Sequence, residues 1–164
     1  MSIAVVTDST SDLPLEIAEK HNISVVPLNV HIEDETLLDG ITISADQMYE
    51  LLPDSKVIPT TSAPSVGTFV ELYEKLSKTH DEIISVHLSA KLSLTYSSAV
   101  NAVSEIGSTN TRIEVVDTQK ASMALGWIAV QLAEKAAEGA SMDGLVNLAH
   151  DASERAVFIG MVDT

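Results

Sequence analysis

Residues 83–106 open with Ile83-Ile84-Ser85-Val86-His87-Leu88 and continue Ser89-Ala90-Lys91-Leu92-Ser93-Leu94-Thr95-Tyr96-Ser97-Ser98. They end in a segment whose apolar positions include Ala99, Val100, Val103 and Ile106. The first run is apolar and of strand length, whereas the last set recurs with helical spacing. A strand, a hydroxyl-rich loop and a helix in succession make half of a parallel crossover unit, since parallel neighbours need a connection long enough to return over the sheet. The same succession recurs on both sides. Ile3-Ala4-Val5-Val6-Thr7 precedes a helical pattern over 14–21, and Ile113 to Val116 precedes one from Met123 to Ala137 that Gly139 stops. Pro64-Ser65 opens the clearest helix, with Val66, Phe69, Val70, Tyr73 and Leu76 on one 3.6-residue period. Ser141 opens another through His150, and Ala156 to Val162 reads as a further apolar strand. This alternation predicts an α/β fold: a largely parallel sheet with helices on both faces.

One region departs from the rhythm. Val25 to Ile32 is rich in β-branched residues and broken by Pro27, the mark of an edge strand or a bulge. Glu33-Asp34-Glu35 and Thr36-Leu37-Leu38-Asp39-Gly40 then read as the return, giving a small β-hairpin over about residues 25–43. Asp12 before Leu13-Pro14 is expected to cap the first helix, and Ser44 a short one through Leu52. Residues 1–155 are assigned to one α/β domain. Residues 156–164 are read as the opening strand of a second α/β domain, because so apolar a strand needs neighbours on both faces. Without them the chain is expected to expose an apolar groove of several hundred Å² and to self-associate.

Composition narrows the function classes. The 164 residues carry 9 basic against 24 acidic side chains, a formal charge of -15, which repels phosphate backbones and argues against a nucleic-acid partner. With 45% hydrophobic residues the chain has material for a core, yet Met123 to Val130 is its longest apolar run, too short for a transmembrane segment. No cysteine is present, so disulfides and thiol catalysis are excluded. The acidic Asp8 interrupts the N-terminal apolar run, which argues against a signal peptide and for a cytoplasmic protein.

In an open parallel sheet the ligand crevice lies beyond the carboxyl ends of the strands. Four hydroxyl-rich loops are expected there: Thr7 to Asp12, Thr60 to Ser65, Ser89 to Ser98 and Asp117 to Ser122. Each leads into a helix start, where uncharged hydroxyls and free amides suit a carboxylate or a phosphate. Ordinary helix capping accounts for any one of these loops, though less well for four on one edge. Asp8-Ser9-Thr10 has the form of an aspartyl nucleophile loop, but Thr10 stands where a second acid is needed. Ser89 and Ser93 lack the flanking glycines of a nucleophile elbow, and the histidines His21, His31, His80, His87 and His150 lack metal-ligand spacing. No catalytic residue, metal or cofactor is assigned.

Five ordered motifs carry a resemblance. Thr7-Asp8-Ser9-Thr10-Ser11-Asp12-Leu13-Pro14, Leu38-Asp39-Gly40, Thr61-Ser62-Ala63-Pro64-Ser65, Leu92-Ser93-Leu94-Thr95-Tyr96-Ser97-Ser98-Ala99 and Val116-Asp117-Thr118 together resemble the DegV family of bacterial fatty-acid-binding proteins. The resemblance implies a two-domain protein that binds one long-chain fatty acid in a tunnel. Its carboxylate would be held by Thr61 or Ser62 and by Ser93, with basic groups from the second domain. It also implies a non-catalytic lipid carrier that presents the acid to a fatty acid kinase subunit. Met123 to Ala137, Ala99 and Ala102 would serve as tunnel wall or as core. Leu94 stands where the family usually has glycine, which bears on the acyl preference. Burying about 14 methylenes contributes about 11 kcal/mol gross, much of it cancelled by ordering the chain. Two rivals stand beside this reading: a small hydrolase or phosphotransferase using Ser93 or Asp8, and a binder of another organic or phosphorylated acid.

Overall fold

A computed structural model of the chain describes residues 2–55, 57–107 and 109–161. In chain order its first elements are β1 (Ile3–Asp8), α1 (Leu15–Lys20), β2 (Ile23–Val26), β3 (Asn29–Ile32) and β4 (Glu35–Leu38). Next come α2 (Ala45–Leu51), β5 (Thr60–Ser62), α3 (Val66–Ser77) and β6 (Glu82–His87). The last are α4 (Thr95–Glu105), β7 (Arg112–Asp117), α5 (Met123–Ala137) and α6 (Met142–Arg155).

The main sheet is parallel throughout, in the order β2-β1-β6-β7. Alternate side chains on a strand point to opposite faces, and each face meets its own helices. Val5, Ile84, Val86 and Val116 pack with Ala18 of α1, Leu125, Ile128 and Leu132 of α5, and Leu145 and Ala149 of α6. Ala4, Val6 and Ile83 pack with Phe69 and Tyr73 of α3 and with Ala99 and Ala102 of α4. The expected α/β class, with helices on both faces, is what the chain adopts. Each fully buried leucine or isoleucine of α5 contributes about 1.5–3 kcal/mol, so this helix anchors its layer.

The chain runs outward from β1 to β2 and returns across to β6 on the other side of β1. Strand order therefore reverses between β1 and β6, and the loops after these two strands flank the resulting crevice.

Several expectations are corrected. The hairpin is narrower than 25–43: Val25 and Val26 belong to β2, an edge strand of the main sheet, and only β3 and β4 form the hairpin. Pro27 has no N–H to continue a ladder, and the chain changes sheets around it. Thr60 to Ser62 is strand β5 rather than loop, and it completes a second, antiparallel sheet in the order β4-β3-β5. Asp12 does not cap α1: it has φ 51° and ends a 3-10 turn over Ser9–Ser11, while Pro14 stands at the α1 N-cap. The last helix runs beyond His150 to Arg155. Residues 156–161 form no strand, and Val157, Ile159 and Met161 face solvent. The rest of that expected strand, with residues 162–164, lies outside the described residues.

The short helix α2 buries none of its residues. A reciprocal capping box holds its start, with Gln47 N donating to Ser44 Oγ at 3.2 Å and Ser44 N to Gln47 Oε1 at 2.8 Å.

Candidate functional site

The two carboxyl ends at the switch point are tied by one buried carboxylate. Asp8 closes β1 with its side chain fully out of water. Its Oδ1 accepts from Thr10 N at 3.1 Å and Thr10 Oγ1 at 2.5 Å. Its Oδ2 accepts from Leu88 N at 3.1 Å and lies 2.9 Å from His87 Nδ1. On the far side of the ring, His87 Nε2 is 2.7 Å from Ser85 Oγ, which in turn accepts from the Tyr73 hydroxyl at 2.8 Å. Burial pushes the Tyr73 phenol well above its ordinary range, and the bond to Ser85 opposes part of that rise.

Carboxylate, imidazole and serine in this order are the parts of a hydrolase relay. Here they are closed to substrate. Ser85 and His87 are wholly buried in the middle and at the end of β6, and Phe69 lies edge-on to the imidazole at 5.1 Å. With one ring nitrogen at Asp8 and the other at Ser85, His87 has none to serve as base for Ser93. Asp8 likewise has both oxygens engaged, so it is not poised as a nucleophile.

The surrounding hydroxyls divide by task. Ser9 Oγ accepts from Leu28 N at 3.0 Å, which fastens the start of the small sheet to the end of β1. Ser89 Oγ accepts from Lys91 N at 3.3 Å, and Thr118 Oγ1 donates to His87 O at 2.8 Å. Ser122 N donates to Thr10 O at 2.8 Å, closing the loop before α5 onto the loop after β1. These are structural uses, and they make the carboxyl edge one connected surface.

Ser93, Thr61 and Ser62 are the hydroxyls expected to hold a ligand. Ser93 is half-buried in the loop before α4, and its Oγ accepts from Thr95 N at 3.2 Å while lying 2.9 Å from Thr95 Oγ1. It thus organises the start of α4. Thr61 and Ser62 are exposed on β5. Neither caps α3, because Ser65 does so through Thr68 N at 3.1 Å. Thr61 pairs with the buried Val30, and Ser62 with Asn29, so the two side chains leave opposite faces of the small sheet. Ser62 Oγ accepts from Asn29 Nδ2 at 3.2 Å and lies 2.9 Å from His31 Nε2. Among the described residues no hydrogen bond joins Ser93 to Thr61 or Ser62.

The proposed tunnel walls are core. Ala99 and Ala102 are sealed between α4 and the sheet, and α5 spends its apolar stripe on β1, β6 and α6. Exposed apolar side chains instead flank Ser93 directly: Leu92 and Leu94, 68% and 71% exposed. Sequence reasoning missed His31 and Asn29. Their signal is the two-residue spacing that puts both on the Ser62 face, and it becomes readable only once Thr60-Thr61-Ser62 is recognised as a strand.

Known proteins share this fold. The family profile described as "Uncharacterised protein, DegV family" matches residues 2–164. Protein DegV of Bacillus subtilis is 40% identical over 141 residues, 86% of this chain and 50% of that protein. The crystal structure of DegV, a fatty acid binding protein from Bacillus subtilis, superposes with a TM-score of 0.89 at 36% identity, covering 94% of this chain and 54% of that one. A DegV family protein from Thermus thermophilus, described for its fatty acid binding, gives 0.85 at 33% identity over 94% of this chain and 54% of its own. The chain spans about half the length of the curated relatives it matches. On the profile and on these identities, the chain belongs to the DegV family.

Proposed function

We propose that the chain binds a long-chain fatty acid at the carboxyl edge of its parallel sheet, with Ser93 and one or both of Thr61 and Ser62 holding the carboxylate. The observation that carries this reading is the tripeptide Leu92-Ser93-Leu94: one hydroxyl donor between two leucines about 70% exposed. A polar head and an apolar tail are matched within three residues, which suits an amphipathic acid better than a phosphorylated metabolite. The absence of glycine at Leu94 keeps an apolar side chain in that place. The first-turn amides of α4 offer further donors to an anion. Fatty-acid binding by the Bacillus and Thermus relatives supports the same ligand class.

The reading extends to a role. The chain acts as a non-catalytic carrier in the cytoplasm and presents the acid to a fatty acid kinase. Support comes from an Asp–His pair sealed from solvent and from a site of hydroxyls rather than acids and bases. No helix among the described residues is long and apolar enough to cross a membrane. The relatives are about twice as long as the matched region, and a second domain beginning at Ala156 would cover the crevice and supply basic groups to the carboxylate.

Calorimetric titration with a long-chain acid and its methyl ester tests the proposal. A hydrogen bond to a charged group is worth about 1.5–3 kcal/mol, so Ser93→Ala weakens acid binding roughly ten-fold or more and leaves the ester nearly unaffected. Unchanged affinity of Ser93→Ala for the acid removes Ser93 from the site. Ester hydrolysis that Ser93→Ala abolishes replaces the carrier with the hydrolase.

A further inference from the structure

The Ser62 hydroxyl has one proton to give, and the imidazole beside it decides where that proton goes. Ser62 Oγ already accepts from Asn29 Nδ2 at 3.2 Å, and His31 Nε2 lies 2.9 Å away. The other ring nitrogen, Nδ1, lies 3.0 Å from Thr36 Oγ1. The register places Asn29, His31, Thr36 and Ser62 on one face of the small sheet, so the four form a line across three strands.

Two states of this line have opposite consequences. When Nε2 is bare, it accepts the Ser62 proton, and Thr36 accepts from Nδ1–H. Ser62 then has no donor left for a ligand. When Nε2 carries a proton, it donates to the second lone pair of Ser62, and the Ser62 O–H turns free. In the imidazolium both ring nitrogens donate, both hydroxyls are released, and a positive charge stands directly behind Ser62.

We infer that His31 is a positioning residue that sets whether Ser62 offers a proton to the ligand carboxylate, so that its protonation strengthens anion binding. The inference rests on the fatty-acid reading above and deepens it. Among the described residues, the charged groups on the elements packed around His31 are carboxylates: Glu33 and Asp34 in the hairpin turn, Glu35 on β4, Asp39 beyond it, and Asp54 after α2, which shares a cleft with Ile32 and Glu33. Glu35 pairs with Ile32 and so leaves the opposite face, and β5 carries no charge. Among the described residues, His31 is therefore the one group on this face whose ring nitrogens can each serve as donor or as acceptor.

The test is calorimetric titration of the chain with laurate, methyl laurate and dodecyl sulfonate between about pH 5.5 and about pH 8. The sulfonate remains ionised throughout, so a change in its affinity belongs to the protein. The expected result is about ten-fold tighter sulfonate binding at the acid end, with the ester flat. His31→Gln, whose amide keeps a donor beside Ser62, binds the sulfonate with no pH slope. Ser62→Ala is weaker and flat, whereas His31→Leu, which removes the acceptor of the Ser62 proton, is flat and no weaker than the wild-type chain at the alkaline end. A wild-type chain without slope, or a His31→Gln chain that keeps it, overturns the role of His31 while leaving fatty-acid binding intact if Ser93→Ala still weakens laurate. Failure to bind either anion at any pH, or an ester bound as tightly as laurate, overturns the fatty-acid reading and this inference with it.

Discussion

Asp8 holds four hydrogen bonds on two oxygens with no exposure to water, and every donor comes from the two loops that flank the crevice or from the residue beside them. Removing a buried acceptor costs about 1–3 kcal/mol for each donor left unpaired, or roughly 3–5 kcal/mol for the donors gathered on Asp8. Asp8→Ala is therefore expected to lower the unfolding free energy by about that much in urea titration, and a change under 1 kcal/mol would show the cluster is dispensable. Tyr73, at the other end of the line, makes a pH statement. Its folded pKa is raised by burial, so the unfolded chain loses the phenolic proton first. The stabilisation is complete below about pH 10 and falls as pH rises beyond it. Tyr73→Phe costs about 1 kcal/mol at neutral pH from the lost bond to Ser85 and moves the alkaline unfolding midpoint upward. An unmoved alkaline midpoint contradicts this.

At the scale of elements, α5 depends on one close approach. A Cβ placed on Gly126 would stand 2.5 Å from the carbonyl oxygen of Ser11, a backbone atom that cannot swing aside. Gly126→Ala forces α5 from the loop after β1 and is expected to destabilise by about 1–3 kcal/mol, read as a lower melting temperature. Ser65→Ala removes the cap of α3 and costs about 1 kcal/mol without touching anion affinity, which separates a capping hydroxyl from Ser93 and Ser62 in a paired measurement. The long elements were legible in the chain itself: Phe69 and Tyr73 recur on a helical period, and Ile83 to Leu88 is a strand-length run in which only Ser85 and His87 are polar. The second sheet was not. Its third strand is three residues long and pairs with β3 across 29 positions (His31 with Thr60) to 33 positions (Asn29 with Ser62), so no local pattern announces it. Asp12 failed for a local reason, since its left-handed backbone closes the 3-10 turn over Ser9–Ser11, where its N–H donates to Ser9 O at 3.2 Å, rather than opening α1. Ser93 was legible as a hydroxyl near a helix start, while the His31–Ser62 contact depends on pairing at a distance.

Over the whole molecule, strong like charge and exposed apolar surface oppose one another. Trp127, Leu92, Leu94, Ile159 and Met161 are all at least half exposed, whereas the formal charge is -15. Self-association is expected to strengthen as salt screens the repulsion, and sedimentation across a salt series checks it. A chain that stays monomeric at every ionic strength contradicts the estimate of a large sticky surface. Within one chain, stability is also uneven. Helix α2 contributes nothing to either core, and its neighbours Ile41, Val57 and Ile58 are exposed as well. With so little apolar burial to resist it, this flank opens at a small fraction of the global unfolding free energy. Limited digestion should therefore nick near Tyr49, Leu51 or Leu52 first and leave the layers from α3 to α6 intact, and native-state hydrogen exchange should find α2 amides unprotected while those of β1 and β6 last longest. The molecule has a soft shoulder at α2, which opens without the parallel sheet having to move.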